Sequence, residues 1–165
     1  MNDLFFTHLQ TPVGELKLVA SDAGLRAVLW PQDELSRRVV LPAATENTTH
    51  PILSAAARQL TEYFAGTRQA FALPLEFHGT EFQFNVWRAL REIPFGATRS
   101  YGELAAALGN PAAVRAVAAA IGRNPLSIVA PCHRVVGKSG QLTGFAGGLE
   151  AKRWLLDWES VRSPR

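Results

Sequence analysis

Residues 100–122 read SYGELAAALGNPAAVRAVAAAIG, and this stretch decides the fold of the second half of the chain. Ser100 and Glu103 have the spacing of a capping box, in which each side chain accepts a hydrogen bond from the other residue's backbone, and they predict a helix start. Gly109 ends this helix, and Asn110-Pro111 is typical of the cap and first turn of a further helix, which continues to residue 122. Two short helices around a tight turn predict a helix-turn-helix.

The second helix of this pair has a face with unusually small side chains. Val114, Val117 and Ile121 share one face, which we expect to join the core. The adjoining face has one cation among small residues: Arg115, Ala118, Ala119 and Gly122. A helix that faces water normally carries Glu, Lys or Gln there, so this face fits close approach to another body, such as a DNA groove. The alternative is a small-residue contact between helices with the arginine at its rim.

Elements on both sides extend this unit. Before the helix-turn-helix, a helix is predicted over 82–93. After the helix-turn-helix, the apolar run 126–130 predicts a strand. A polar turn with glycine at 138–141 leads into a further extended segment, and a last helix is predicted over 149–160. We expect that helix to bury its large apolar residues: Trp154, Leu155 and Trp158. A helix-turn-helix followed by strand, turn and strand is a winged-helix pattern.

The first half of the chain is predicted to contain strands as well as a helix. Residues 15–19 alternate in polarity and residues 25–30 follow a turn, so both predict strands. Residues 41–51 contain proline, threonine and asparagine and are predicted as a loop. Apolar spacing then predicts a helix from Ser54 to Gly66.

These patterns predict two domains in an α/β (α+β) chain. Residues 1–78 form a small N-terminal α/β domain, and residues 79–165 form a helix-turn-helix, winged-helix-like domain.

Composition is that of an ordinary globular protein, with 47% apolar and 19% charged residues. No apolar run approaches the ~20 residues that span a bilayer. The first residues lack the basic and apolar pattern of a secretory signal, so we expect a cytoplasmic protein without a membrane partner.

Charge is distributed unevenly between the two halves. Residues 1–80 carry six basic and eight acidic residues, whereas residues 81–165 carry eleven basic and six acidic ones. A basic second half favours a polyanionic partner, although the excess could also be a solvated surface. Of the 17 basic residues 14 are arginine, whose shape suits phosphates and base edges.

The chain has a single cysteine, Cys132, and four histidines. This count excludes an internal disulfide framework and a thiolate zinc cluster, so no metal is expected. In the sequence Pro131-Cys132-His133, the thiol could be a nucleophile whose proton reaches the histidine through a water, because neighbouring side chains diverge. The pattern alone leaves open a structural buried cysteine and a cysteine hydrolase that works through a thioester.

A resemblance to a known family narrows these alternatives. The run 131–135, preceded by Asn124-Pro125 and followed by 144–148, resembles the active-site signature of the O6-alkylguanine-DNA alkyltransferases. Residues 115–117 resemble the family's recognition-helix signature, and residues 100–105 resemble its first DNA-binding helix. The likeness runs almost without gaps from Phe82 to Glu159, and a weaker one at residues 11–16 extends it toward the N-terminus.

The resemblance implies the roles of the central residues. Cys132 is the alkyl acceptor, and His133 takes its proton through a water. Glu159 orients His133, although by itself this carboxylate would be expected in solvent. Tyr101 donates a proton or hydrogen bond to the departing guanine, and Asn124 braces the turn before the active site.

The resemblance also implies two sets of contacts. Arg115 enters the duplex where the flipped nucleotide was, and the DNA-facing set is Arg115, Tyr101, Ala116, Ala118, Ala119 and Lys138. The base pocket is Val135, whose carbonyl meets the base, with Phe145, Ala146 and Gly147. Many family members have tyrosine where this chain has Phe145, so a hydrogen bond from that hydroxyl is missing. The family's N-terminal domain is ribonuclease-H-like.

The implied function is direct reversal of DNA damage. An alkyl group moves irreversibly from O6-alkylguanine in double-stranded DNA to Cys132, in a single turnover without a cofactor or an obligate protein partner. O4-alkylthymine is a second candidate substrate. A non-enzymatic binder of alkylated DNA and a cysteine hydrolase are the alternatives.

Overall fold

The computed structural model describes residues 3–33 and 38–162. It divides into two compact units, Met1–Phe77 and His78–Arg165. In the described residues no helix combines the length and the apolar character that crossing a membrane requires.

In its described residues, the first unit contains a four-stranded sheet and a helix. Its strands are β1 (Leu4–Thr11), β2 (Gly14–Ala20), β3 (Leu25–Leu29) and β4 (Ala44–Glu46), in the order β3-β2-β1-β4. The first three strands pair antiparallel and β4 lies parallel to β1. The predicted strands are confirmed. The loop prediction for 41–51 is confirmed at 41–43 and 47–50 and wrong at Ala44–Glu46, because β4 is too short to show an alternating pattern, and at Pro51, where a helix begins.

The helix α1 (Pro51–Phe64) begins three residues before the predicted start. The backbone N–H of Ile52 donates to Nδ1 of His50, which caps the helix, and Pro51 occupies its first turn. Gly66, at φ +82°, follows the end of the helix.

The second unit is mainly helical. Its elements are α2 (Glu81–Arg91), β5 (Arg99–Ser100), α3 (Tyr101–Ala107), α4 (Val114–Gly122), a 3-10 turn (Cys132–Arg134), β6 (Val135–Val136) and α5 (Leu149–Ser160). The capping box of Ser100 and Glu103 is confirmed, with both hydrogen bonds at 3.0 Å. The helix α2 packs on α4, where Trp87 Nε1 donates to the Ala120 carbonyl at 2.9 Å.

Some local predictions in this unit are wrong. Asn110-Pro111 does not cap α4, which begins at Val114 without a side-chain cap. Val114 is exposed rather than in the core, whereas Val117 and Ile121 are buried. Trp154 and Trp158 are half-buried and stack on each other, with ring centroids 5.1 Å apart.

The run 126–130 is a turn rather than the predicted strand. The Ala130 N–H donates to the Leu126 carbonyl at 2.8 Å, and Ile128 has a φ of +73°. Buried apolar residues occur in turns as well as strands, and the run lies between Pro125 and Pro131, which favour chain reversal. After this run, the one strand in the described residues is the two-residue β6, which pairs parallel with β5. Residues 141–146 lie outside regular elements.

Candidate active site

The turn that holds Cys132 positions its side chain. We predicted a strand before the cysteine, but Cys132 begins the 3-10 turn, and its N–H donates to the Ala130 carbonyl at 2.8 Å. The Arg134 N–H closes the turn on the Pro131 carbonyl at 3.0 Å. Cys132 is 6% exposed, so the thiol lies just beneath the surface of the unit.

Asn124 ties together the two ends of the segment between α4 and the cysteine. Its amide Nδ2 donates to the Ala130 carbonyl at 2.9 Å, and its Oδ1 accepts from the Leu126 N–H at 3.0 Å. The side chain is fully buried. A side-chain amide can donate from its nitrogen and accept at its oxygen at once, so Asn124 fixes the turn that precedes Cys132.

His133 and Arg134 share the carboxylate of Glu159. His133 Nε2 lies 2.8 Å from Glu159 Oε2, and Arg134 donates to both carboxylate oxygens, from Nε at 2.8 Å and from Nη2 at 3.0 Å. All three side chains are buried, so the expectation of a solvent-exposed Glu159 from its position alone is wrong. Arg134 Nη1 also donates to the Ile93 carbonyl at 2.6 Å.

This arrangement sets the protonation of both partners. Burial alone would raise the pKa of Glu159, but the hydrogen bonds and charges of His133 and Arg134 outweigh it and hold that pKa well below its usual range. Burial lowers the pKa of His133 from 6.5, and Glu159 offsets this only in part. We therefore assign an ionised Glu159 and a neutral His133.

In the neutral imidazole of His133, the nitrogen that can accept a proton is the one that does not contact Glu159. A carboxylate only accepts, so Nε2 carries the proton and Nδ1 is left as an acceptor. Nδ1 is buried and has no hydrogen-bond partner within the described part of the chain. His133 is thus oriented as a base by the third group, as in other nucleophilic sites.

A second polar group lies near Cys132. Lys152 is 1% exposed, and its Nζ lies 3.4 Å from both the carbonyl and Oγ1 of Thr143. Thr143 Oγ1 is 2.6 Å from the Tyr101 hydroxyl. Burial lowers the pKa of Lys152, and the charge of Cys132 opposes this shift in part.

The sequence did not lead us to predict three residues of this site: Lys152, Thr143 and Arg134. The spacing of Lys152 and Glu159 could have indicated the lysine, because residues seven apart lie on one face of a helix, here α5. No comparable pattern indicates Thr143.

The predicted DNA-facing residues are mostly exposed. Of the predicted residues on α4, Ala118 is half-buried, and the other three are exposed: Arg115, Ala116 and Ala119. Lys138 is exposed in the turn after β6, and Tyr101 is half-buried at the start of α3.

In the predicted base pocket Val135 is buried in β6, and the other three residues are half-buried: Phe145, Ala146 and Gly147.

Fold and site together define an α/β protein in which a buried cysteine, histidine and carboxylate follow a helix-turn-helix. Two family models match it. One, described as "6-O-methylguanine DNA methyltransferase, ribonuclease-like domain", covers residues 4–77 and confirms the predicted ribonuclease-like first domain. The other, described as "6-O-methylguanine DNA methyltransferase, DNA binding domain", covers residues 81–161.

Relatives match over nearly their whole length. The constitutive methylated-DNA–protein-cysteine methyltransferase of Bacillus subtilis is 44% identical, over 95% of this chain and 96% of its own. The protein of that activity from Methanosarcina acetivorans is 43% identical, over 94% and 98%. The crystal structure of Mycobacterium tuberculosis OGT in complex with DNA matches with a TM-score of 0.88 and 41% identity, over 97% of this chain and 95% of that one. This chain belongs to the 6-O-methylguanine DNA methyltransferase family.

Proposed function

We propose that this protein is a methylated-DNA–protein-cysteine methyltransferase, which removes the alkyl group from O6-alkylguanine in double-stranded DNA and keeps it on Cys132. The observation that carries the proposal is the site itself: the chain's single thiol lies beside a buried histidine held by an ionised carboxylate. Family membership and the DNA complex of the related mycobacterial protein support it. Because the proposed substrate is genomic DNA, the proposal includes a cytoplasmic location.

The chemistry needs a soft nucleophile and a stabilised leaving group. The Cys132 thiolate attacks the saturated alkyl carbon, and its proton passes through a water to Nδ1 of His133. The electrons of the carbon–oxygen bond stay on guanine, which Tyr101 stabilises with a proton or hydrogen bond. The product is a thioether, which water does not cleave, so each molecule reacts once.

Access to the sulfur requires that the nucleotide leaves the stack. Cys132 lies in the 3-10 turn that follows α4 in the chain and is 6% exposed, rather than on the exposed face of that helix. The small side chains of the face allow α4 to approach the duplex, and Arg115 fills the gap left by the flipped base. Asn124 holds the turn, and the base lies against Val135, Phe145, Ala146 and Gly147. The phenyl ring of Phe145 covers this pocket and, unlike a tyrosine, has no hydroxyl that could form a hydrogen bond.

The test uses duplex DNA with O6-[³H-methyl]guanine and measures protein mass after reaction. We expect a mass gain of one methyl group on Cys132, one transfer per molecule, and no transfer by Cys132→Ala, which should still bind DNA. Label on the protein of the Cys132→Ala variant would refute the mechanism. Binding without any mass gain would make the wild-type protein a lesion binder, and repeated turnover would make it a hydrolase.

A further inference from the structure

Ile128 has a backbone conformation that its side chain disfavours. Its φ is +73°, and among the residues that the structure describes it is the one non-glycine residue with a positive φ. A β-branched residue rarely adopts such a conformation, because its side chain then lies too close to the backbone. Ile128 is therefore a strained point in the segment that leads to Cys132.

The hydrogen bonds around Ile128 define the turn that contains this strain. The Val129 N–H donates to the Ser127 carbonyl at 2.8 Å, which closes a three-residue γ-turn with Ile128 at its centre. A γ-turn whose central φ is positive is the rare and strained form of this turn. The Ala130 N–H also donates to the Leu126 carbonyl at 2.8 Å, so the chain reverses direction around this γ-turn.

A second γ-turn connects the first one to the cysteine. Pro131 has a φ of −79° and a ψ of 69°, and across it the Cys132 N–H donates to the Ala130 carbonyl at 2.8 Å. These angles belong to the common form of the γ-turn, and the proline ring fixes the φ. The two turns, 127–129 and 130–132, follow each other directly. A change of the backbone angles at Ile128 therefore redirects the backbone of Cys132.

The burial of Ile128 explains why the strained turn persists. The residue is 1% exposed, and burial of its apolar side chain favours the turn although the backbone angles oppose it. Glycine would adopt the same φ without strain, but it has no side chain to bury. Strained residues that the surrounding structure holds in place cluster at active sites, where the strain contributes to positioning.

We propose that Ile128 is a positioning residue for alkyl transfer: its buried side chain holds the strained γ-turn, and the turn sets the direction from which the Cys132 sulfur approaches the alkyl carbon. The inference rests on the proposed function. Displacement at a saturated carbon requires the sulfur to approach opposite the departing oxygen, and a misplacement of about 1 Å can cost on the order of 100-fold in rate. Ile128 makes and breaks no bond, and it acts through the position of Cys132.

The experiment uses three substitutions that separate side-chain burial from backbone strain. Ile128→Val keeps the β-branched side chain and most of its volume. Ile128→Ala removes most of the buried side chain and keeps the strain, whereas Ile128→Gly removes both. Leu90→Ala is the matched control, because Leu90 is fully buried in α2 and its truncation also leaves a cavity.

The assays distinguish alignment of the sulfur from binding and from thiol reactivity. At a temperature at which every variant is folded, we measure the single-turnover rate of methyl transfer at saturating O6-methylguanine duplex DNA, and the affinity for that duplex. Each variant is also reacted with iodoacetamide, which reaches the thiol from solvent and is not held in one orientation by the protein.

We expect Ile128→Ala to transfer methyl about 10- to 100-fold more slowly at saturating DNA, with unchanged affinity for the duplex. Ile128→Gly should recover part of this loss, because glycine adopts the positive φ without strain, whereas at ordinary positions glycine is the more disruptive of the two residues. Ile128→Val and Leu90→Ala should transfer methyl about as fast as wild type. All four variants should react with iodoacetamide as wild type does.

Three results would overturn the positioning role and leave the proposed function intact. The first is an Ile128→Ala variant that transfers methyl as fast as wild type. The second is an Ile128→Gly variant slower than Ile128→Ala, which would show that the transfer does not depend on the positive φ. The third is an equal loss of rate toward iodoacetamide or in Leu90→Ala, which would make Ile128 an ordinary core residue. Failure of wild type to accept methyl would instead refute the proposed function, and the positioning role with it.

Discussion

Replacing Arg134 with methionine removes the guanidinium that holds Glu159 and keeps much of the side chain's volume. The wild-type pair is bidentate, with donor–acceptor distances of 2.8 and 3.0 Å, and Glu159 is 1% exposed. The variant leaves that carboxylate buried with the neutral His133 as its main remaining partner. It also removes the donor to the Ile93 carbonyl at 2.6 Å.

The size of the effect follows from this burial. Removing one partner of a buried ion pair costs about 3–5 kcal/mol, because the other charge is left poorly compensated. At ~2–4 °C per kcal/mol for a chain of this length, the melting temperature should fall by roughly 10 °C. Arg68 provides a matched control, since its ion pair with Glu62 has a similar distance, 2.9 Å, but the two side chains are 28% and 38% exposed. Arg68→Met should cost less than about 1 kcal/mol.

Urea unfolding at pH 7.5 measures these differences, with wild type, both arginine variants and the double variant Arg134→Met/Glu159→Gln. The double variant has no uncompensated charge, so it should recover part of the loss. If Arg134→Met and Arg68→Met were destabilised equally, or if the double variant were no more stable than Arg134→Met, the buried charge would not be the cause.

Three further predictions concern DNA and pH. Arg115→Ala should slow repair of duplex substrates far more than reaction with the free modified base, which needs no flipping; equal losses in single-turnover assays would assign Arg115 to the fold. Affinity for undamaged duplex should fall with salt, with a log–log slope near −0.9 per phosphate neutralised, and a flat response in a binding titration would mean that the basic excess is only a solvated surface. The depressed pKa of His133 contributes stability that is lost as pH falls through 6.5, because the unfolded histidine binds the proton first. The free energy of unfolding should therefore decrease between pH 7 and 5.5 by up to about 1.4 kcal/mol per pH unit from this group, and an unchanged urea midpoint would contradict it.

Local signals predicted much of the fold. The capping box at Ser100 and the alternating residues of β2 indicated elements that the structure has, because short-range hydrogen bonds and one-sided burial determine them. The strand prediction at 126–130 is wrong because an apolar run indicates that its residues are buried but does not indicate whether the backbone is extended. The strand β4 was missed because its pairing partner, β1, is about forty residues away in the chain.

The site was predictable only where a motif marks it. Cys132 and His133 are adjacent in a recognisable turn, whereas Glu159 is 26 residues from His133 and was identified through the resemblance alone. Thr143 could not be found, because its significance depends on contacts with Tyr101 and Lys152 that lie 42 and 9 residues away. Tertiary packing, rather than local pattern, creates such contacts.

Two buried charged side chains of the candidate site, Glu159 and Lys152, lie on one helix, α5. Glu159 Oε2 lies 2.8 Å from His133 Nε2, and Lys152 Nζ lies 3.4 Å from Thr143 Oγ1. Seven residues at 1.5 Å per residue place their backbones ~10 Å apart on one face, two turns along the axis. The common helix therefore holds these two groups in fixed register to each other.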